Sequence, residues 1–132
     1  MSYDRPGVVE LAKRRVLIVD DNPQVRQELR TLLPLTGDIE IVGEAADGLE
    51  AIHLAQALQP DVILIDLEMP VLDGYEAMRQ IKAGLPSCRV VTLTVHAYEA
   101  ARQRAMEAGA DVFLEKGAPL GALVNAIYER ST

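Results

Sequence analysis

Apolar residues fall into two kinds of segment that alternate along the chain. Short runs of branched residues, such as Val16–Val19 and Val62–Ile65, are typical of strands buried on both faces of a sheet. Ile39–Ala45 is also strand-like, but the acidic residues in and around it suit a sheet edge. The pattern predicts five strands, at Val16–Val19, Ile39–Ala45, Val62–Ile65, Arg89–Val95 and Val112–Leu114.

Between these runs the apolar residues recur at helical spacing, and capping residues mark the helix ends. Asn22 and Asp73 are typical N-cap residues, Asp47-Gly48 is a turn that starts a helix, and Gly109 suits the position just after one. The pattern predicts five helices, from Asn22 to Pro34, Asp47 to Pro60, Tyr75 to Ala83, Tyr98 to Ala108 and Pro119 to Glu129.

This alternation predicts an α/β fold, a doubly wound parallel sheet with helices on both faces. Right-handed crossovers and a polar second strand at the edge favour strand order 2-1-3-4-5, the flavodoxin-like (βα)5 arrangement. A length of 132 residues suits one domain. We expect residues 1–13 to be a loose lead-in and residues 14–130 to form the domain.

Composition excludes several classes of function. The net charge of −7 and the absence of a basic face argue against nucleic-acid binding by these residues. No apolar run is long enough for a signal peptide or a membrane span. Cys88 is the single cysteine, which excludes an internal disulfide and favours a reducing, cytoplasmic setting. We interpret it as a small, half-buried residue at a strand start.

Polar residues stand where the predicted strands end, at the edge where open parallel sheets bind ligands. They are Asp20 and Asp21 after the first strand, Asp66 after the third, Thr94 on the fourth and Lys116 beyond the fifth. Three carboxylates and one ammonium leave a charge of −2, which a divalent cation would neutralise. Mg²⁺ suits this set best, because it prefers oxygen ligands and no zinc-like spacing of His or Cys is present.

A carboxylate beside Mg²⁺ and a lysine can accept a phosphoryl group, since aspartyl phosphate formation is an established reaction of Asp. Asp66 is central in the predicted strand order and is therefore the preferred acceptor. Thr94 would donate its hydroxyl hydrogen bond to a phosphoryl oxygen, and Lys116 would neutralise charge there.

These residues resemble the receiver domain of two-component response regulators over residues 14–130. The resemblance is carried by Val19-Asp20-Asp21, Asp66-Leu67-Glu68-Met69-Pro70 with Asp73-Gly74, Thr94, Gly109-Ala110-Asp111 and Lys116. It implies that Asp20 and Asp21 are metal-site acids, with Asp21 the preferred direct ligand. It further implies that Asp66 is the phosphoacceptor, that the backbone carbonyl of Glu68 is a metal ligand, that Thr94 and Phe113 are a switch pair, and that Lys116 binds the phosphoryl group.

The resemblance also implies a function. A sensor histidine kinase would phosphorylate Asp66 with Mg²⁺ bound, and the face of helix 4, strand 5 and helix 5 would change to control homodimerisation or an output domain. Gly117 after Lys116, where many receivers have proline, and the contexts of His96 and Phe113 are similar to the NarL/LuxR type. This implies a transcription regulator, with DNA bound only by an output domain outside these residues. Gly117 predicts a trans peptide bond at this turn.

Other readings stay open. The chain could act as a stand-alone receiver through protein contacts, as a Mg²⁺-dependent phosphohydrolase, or as a constitutive binding module with a vestigial acid site. Glu68 stands where well-known relatives often have Asn, and its carboxylate would compete for the metal or orient water. We interpret His96 as incidental and His53 as a helix-surface residue, because lone histidines seldom carry function.

Overall fold

The computed structural model describes residues 13–128. Most of the predicted lead-in and the predicted helix end at Glu129 lie outside these residues, so the domain bounds 14–130 stay a prediction. The strands are β1 Arg14–Val19, β2 Ile39–Ala45, β3 Val62–Asp66, β4 Arg89–Thr94 and β5 Val112–Glu115. The helices are α1 Pro23–Leu32, α2 Gly48–Leu58, α3 Gly74–Gly84, α4 Glu99–Ala108 and α5 Leu120–Tyr128, with a short 3-10 helix at Leu33–Thr36.

The strands form one parallel sheet in the order β2-β1-β3-β4-β5, which confirms the predicted fold and strand order. Alternate residues of β1 enter opposite cores. Leu17 and Val19 pack towards α2, α3 and α4, whereas Val16 and Ile18 pack towards α1 and α5. Helices on both faces explain why the central strands are continuous apolar runs.

Several element ends differ from the sequence prediction by one or two residues. The first helix passes into the 3-10 helix at Leu33, because Pro34 has no N–H to continue the α-helical ladder. At this junction Leu33 is fully buried, whereas Leu32 is exposed. Val95, predicted as the end of the fourth strand, lies beyond β4 and is 60% exposed.

Cys88 is more buried than predicted. It is 3% exposed directly before β4, and it packs in the core beneath α3 and α4. Burial raises the pKa of the Cys88 thiol to about 12. The thiol is therefore a small core group.

Helix starts are packed closely against the carboxyl edge of the sheet. Asn22, Asp47 and Asp73 each accept backbone N–H hydrogen bonds at the first turn of α1, α2 and α3, as expected of N-caps. At Gly74 the approach is tight, because a Cβ would lie 2.4 Å from the carbonyl oxygen of Asp66. The glycine thus allows α3 to begin directly against the end of β3, where the candidate site lies.

Candidate functional site

Three carboxylates meet at the carboxyl edge of the sheet. Asp20 follows β1 and Asp66 ends β3, and the two are only 2% and 4% exposed. Asp21 is exposed, although it is adjacent to Asp20 in the chain. One carboxylate oxygen from each of the three lies within 4.8 Å of those of the other two. The sheet thus brings together the acidic residues that the sequence predicted to converge.

Lys116 joins the two buried carboxylates. Its Nζ lies 2.8 Å from Oδ2 of Asp20 and 3.0 Å from Oδ2 of Asp66. Its backbone N–H donates to the carbonyl of Thr94, which fixes the start of the turn after β5. One ammonium therefore ties together the ends of β1 and β3 from its position beyond β5.

The second oxygen of each buried carboxylate is also held. Oδ1 of Asp20 accepts the N–H of Asn22 at 2.9 Å, and Oδ1 of Asp66 accepts the N–H of Glu68 at 3.0 Å. In both cases the donor is two residues further along the chain, the geometry of an Asx turn. The two carboxylates are consequently fixed in orientation by local backbone and by one shared lysine.

The ionisation of these groups reflects their burial. Burial raises the pKa of Asp66 above the ordinary carboxyl value, and the Glu68 N–H and Lys116 offset this only in part. Burial works against the charged form of Lys116, but its hydrogen bonds to Asp20 and Asp66 outweigh it, so the pKa of Lys116 is raised. The site therefore holds a charged lysine beside the Asp66 carboxylate, whose hydrogen bonds offset only part of the cost of burying its charge.

The donor set fits a hard divalent cation. Three carboxylates and one ammonium leave a net −2, and all the converging ligands are oxygens. Asp21 is the exposed acid of the three and borders an open cavity of about 450 Å³ that Glu68, Met69, Tyr75 and Arg104 also line. Asp20, Asp21 and Asp66 are the residues that could hold Mg²⁺. The structure places Glu68 beside them, and the metal role of its carbonyl stays a prediction.

Thr94 ends β4 and is 2% exposed. Its hydroxyl binds Glu68 and the backbone of His96 instead of Asp66. Its Oγ1 donates to Oε1 of Glu68 at 3.1 Å and accepts the backbone N–H of His96 at 3.1 Å. Oε2 of Glu68 lies 2.6 Å from Nδ1 of His96. The hydrogen bond from His96, ahead of smaller effects, lowers the pKa of Glu68. His96, interpreted from the sequence as incidental, is the partner of Glu68 in this structure, and whether that contact has a function stays untested.

Sequence reasoning also missed Tyr75 and Arg104. The Arg104 guanidinium lies 3.8 Å from the centre of the Tyr75 ring, so the two side chains join α3 to α4 beside the cavity. An exposed Arg on one helix and an aromatic residue on another give no joint signal in the sequence. Glu68 and His96 each lie two residues past the last residue of β3 and β4, a shared spacing that the predicted strand ends at Ile65 and Val95 did not reveal.

Phe113 is half-buried and packs against the core formed with α2, α3 and α4. It pairs with Thr92 across β4 and β5, whereas Thr94 pairs with Glu115. The predicted switch pair thus lies on adjacent strands at offset positions, and its coupled role stays a prediction.

The described residues contain no cis peptide bond, which confirms the trans bond predicted before Gly117, a residue at φ +91°.

Comparison with known proteins identifies the family. The model of the response regulator receiver domain matches residues 16–128. The chain belongs to this family. It is 41% identical over 117 residues to the response regulator protein VraR of Staphylococcus aureus, covering 89% of this chain and 56% of VraR. The chain therefore spans about half the length of the curated relatives that it matches.

Solved receiver structures agree. A LuxR-family two-component response regulator from Aurantimonas superposes with a TM-score of 0.83 at 35% identity, covering 88% of this chain and 83% of that chain. The receiver domain of the response regulator NarL from Mycobacterium tuberculosis superposes with a TM-score of 0.82 at 34% identity, covering 91% and 100%. These neighbours confirm the fold and the resemblance to the NarL/LuxR type.

Family membership establishes the broad function. The chain is a receiver domain of two-component signalling, related to transcriptional regulators. Receiver domains interact with sensor histidine kinases and bind Mg²⁺ at an acidic pocket, and an acidic cluster is present here. Within residues 13–128, every helix is too short or too polar to cross a membrane.

Proposed function

We propose that this receiver is a phosphorylation-controlled switch, in which a sensor histidine kinase transfers a phosphoryl group to Asp66 with Mg²⁺ bound. One observation carries the proposal. The Asp66 carboxylate is buried at the sheet edge between Lys116 and the Glu68 N–H, with Asp20 and Asp21 close enough to share a cation. This arrangement positions an acceptor oxygen and balances the charge that arrives with the phosphoryl group.

The reaction needs few protein groups. An oxygen of Asp66 attacks phosphorus, the P–N bond to the donor histidine breaks, and the imidazole leaves as the O–P bond forms. Lys116 turns from Asp66 to the phosphoryl oxygens and retains Asp20 as its second partner. Mg²⁺, held by Asp20, Asp21, Asp66 and the Glu68 carbonyl, would supply positive charge for the transferring oxygens.

The output would pass through the face formed by α4, β5 and α5. Among the described residues, α4 buries only Ala101, Ala105 and Ala108, so its packing is shallow and a small shift loses little apolar contact. Thr94 and Phe113 would couple that shift to the phosphoryl group. We propose that the changed face controls homodimerisation or an output domain of a cytoplasmic transcription regulator, and that DNA binds only to that domain.

The test is incubation with Mg²⁺ and acetyl phosphate, followed by intact-mass measurement. The expected result is one labile phosphate adduct on the wild type and none on Asp66→Asn. Asp38→Asn, which removes an exposed carboxylate from the loop before β2, should be modified like the wild type. An adduct that persists in Asp66→Asn would refute Asp66 as the acceptor, and the absence of any wild-type adduct would refute the switch.

A further inference from the structure

Glu68 bridges the two loops that flank the acidic site. It lies in the loop after β3, and its carboxylate binds Thr94 at the end of β4 and His96 in the loop beyond. A carboxylate only accepts hydrogen bonds, so Nδ1 of His96 carries the proton that it shares with Oε2. Both oxygens of Glu68 thus have a partner on the β4 side of the site.

This bridge occupies the hydroxyl of Thr94. A threonine hydroxyl has one proton to donate, and here it is donated to Oε1 of Glu68. The hydroxyl also accepts the His96 backbone N–H, which fixes its orientation. Thr94 therefore cannot donate to a phosphoryl oxygen on Asp66 while Glu68 stays in place.

Phosphorylation would act against the bridge. The phosphoryl group adds negative charge and strong acceptor oxygens next to Asp66, whose Oδ1 is already bound by the Glu68 backbone N–H. The Glu68 carboxylate would then face a like charge nearby and lose the competition for the Thr94 proton. His96 opposes this release, because it holds the other oxygen at 2.6 Å.

We propose that Glu68 is a latch, held closed by His96, that keeps the Thr94 hydroxyl away from Asp66 until phosphorylation displaces it. His96 is then a positioning residue that acts through Glu68 and sets how easily the segment from Thr94 to Tyr98 switches. This inference rests on the proposed function of Asp66. It adds that, before phosphorylation, Glu68 holds the Thr94 hydroxyl and that this contact has to open.

The test is an NMR titration with Mg²⁺ and beryllofluoride, a mimic of the phosphoryl group, following the amide signals of residues 94–98. The latch predicts that His96→Ala binds the mimic about fivefold more tightly than the wild type, within the usual range of such couplings. Electrostatics alone predicts that His96→Ala binds the mimic more weakly than the wild type or equally well, because this variant keeps the Glu68 charge and loses the proton donor that faces it. Wild-type or weaker affinity in His96→Ala would therefore overturn the latch.

Further variants separate the latch from a merely structural effect. Glu68→Ala should also tighten binding, and adding His96→Ala to it should bring no further gain, because both open one contact. His96→Gln, whose amide can donate to Glu68, should return the affinity towards the wild type. Matched controls are His53→Ala on the exposed face of α2 and Glu40→Ala at an exposed position of β2, and both should leave the affinity for the mimic unchanged. Additive gains in the double variant would contradict the proposal.

The two levels of inference fail differently. If the wild type shows no beryllofluoride-dependent shift with Mg²⁺, the proposed function falls and the latch with it. If the wild type shifts while His96→Ala behaves identically to it, only the latch falls. As a direct readout, beryllofluoride should move the imidazole signals of His96 in the wild type towards those of unliganded Glu68→Ala, and unmoved signals would overturn the latch.

Discussion

Two neighbouring parts of the carboxyl edge are built in opposite ways. The acidic pocket is formed by Asp20, Asp21, Asp66 and Lys116. Its Asp20 and Asp66 carboxylates are buried, and both oxygens of each of these two are bound. The β4–α4 segment, residues 94–99, exposes Val95 by 60% and Tyr98 by 62%. Within the described chain, α4 differs from α1, α2 and α3 in lacking a side-chain N-cap hydrogen bond.

This difference teaches where rigidity and mobility are placed. A phosphoryl acceptor has to be held in one orientation, and the pocket does this with short, local hydrogen bonds. A segment that reports on the acceptor has to have a second accessible arrangement, and elements with little burial and weak capping open at low free-energy cost. The Glu68 bridge lies at the border and joins the two parts.

The largest expected effect is in the pocket. Lys116→Ala leaves two buried carboxylates without their shared ammonium, and we expect a loss of about 2–3 kcal/mol in the free energy of unfolding at pH 7. Urea denaturation without Mg²⁺ measures it. Lys13→Ala, at the exposed start of the described chain, should change the free energy by less than about 0.5 kcal/mol. Equal effects of the two variants would show that the pocket is not held by Lys116.

Asp66→Asn should have a smaller effect of the opposite sign. Burial raises the pKa of Asp66 in the folded chain above the ordinary value of 3.8. As the pH rises from 3.8 through the folded-state pKa, the unfolded chain loses this proton first, so the folded chain loses stability. The variant escapes this penalty and should unfold at a higher temperature than the wild type at pH 7, with the difference vanishing below about pH 3.8. Saturating Mg²⁺ should reduce the difference by stabilising the wild type. A difference independent of pH would contradict the assignment to Asp66 ionisation.

The third prediction concerns the backbone of one residue in the loop after β3. Val71 is 77% exposed and has φ +71°, a left-handed conformation that is strained for a β-branched side chain. Val71→Asn should stabilise the fold by about 1 kcal/mol, because Asn tolerates this region. Thermal unfolding measures the gain. Val95→Asn is the matched control without a positive φ and should show almost none.

The smallest expected effect is at the start of α4. Tyr98→Asp would give α4 the N-cap that the preceding helices have, and we expect a gain of about 0.5 kcal/mol in stability. Asp47→Ala removes the corresponding cap of α2 and should lose about 1 kcal/mol. If the added cap also weakens beryllofluoride binding, the looseness of the segment serves the switch. Unchanged binding would indicate that α4 capping and switching are independent.

Most of the fold was predictable because its signals are local. The runs at β1 and β3 are apolar on both faces, a pattern typical of a sheet that helices cover on both sides. The N-caps at Asn22 and Asp73 mark where two of the helices begin. The first helix was less predictable. The apolar periodicity does not encode the passage into a 3-10 turn at Leu33, which arises because Pro34 lacks the N–H that the α-helical ladder needs.

The members of the acidic pocket were predictable from strand ends, but their environments were not. Asp20 and Asp21 are identical neighbours in sequence, yet Asp20 is buried against Lys116 and Asp21 is exposed beside the open cavity. Successive residues leave a strand in different directions, so which one is buried depends on the elements packed around it. Thr94 was likewise placed correctly at its strand end, but its partner was not foreseen.

By itself, the sequence determined the alternation of strands and helices, the sheet order and the gathering of Asp20, Asp21, Asp66, Thr94 and Lys116 at one edge. These follow from periodicity and from the parallel sheet, which aligns all strand ends. Only the tertiary structure decided that one lysine serves two carboxylates and that Glu68 engages Thr94 and His96. Hydrogen bonds between loops need a precision of a few tenths of an ångström, which the twist and packing of the whole sheet set.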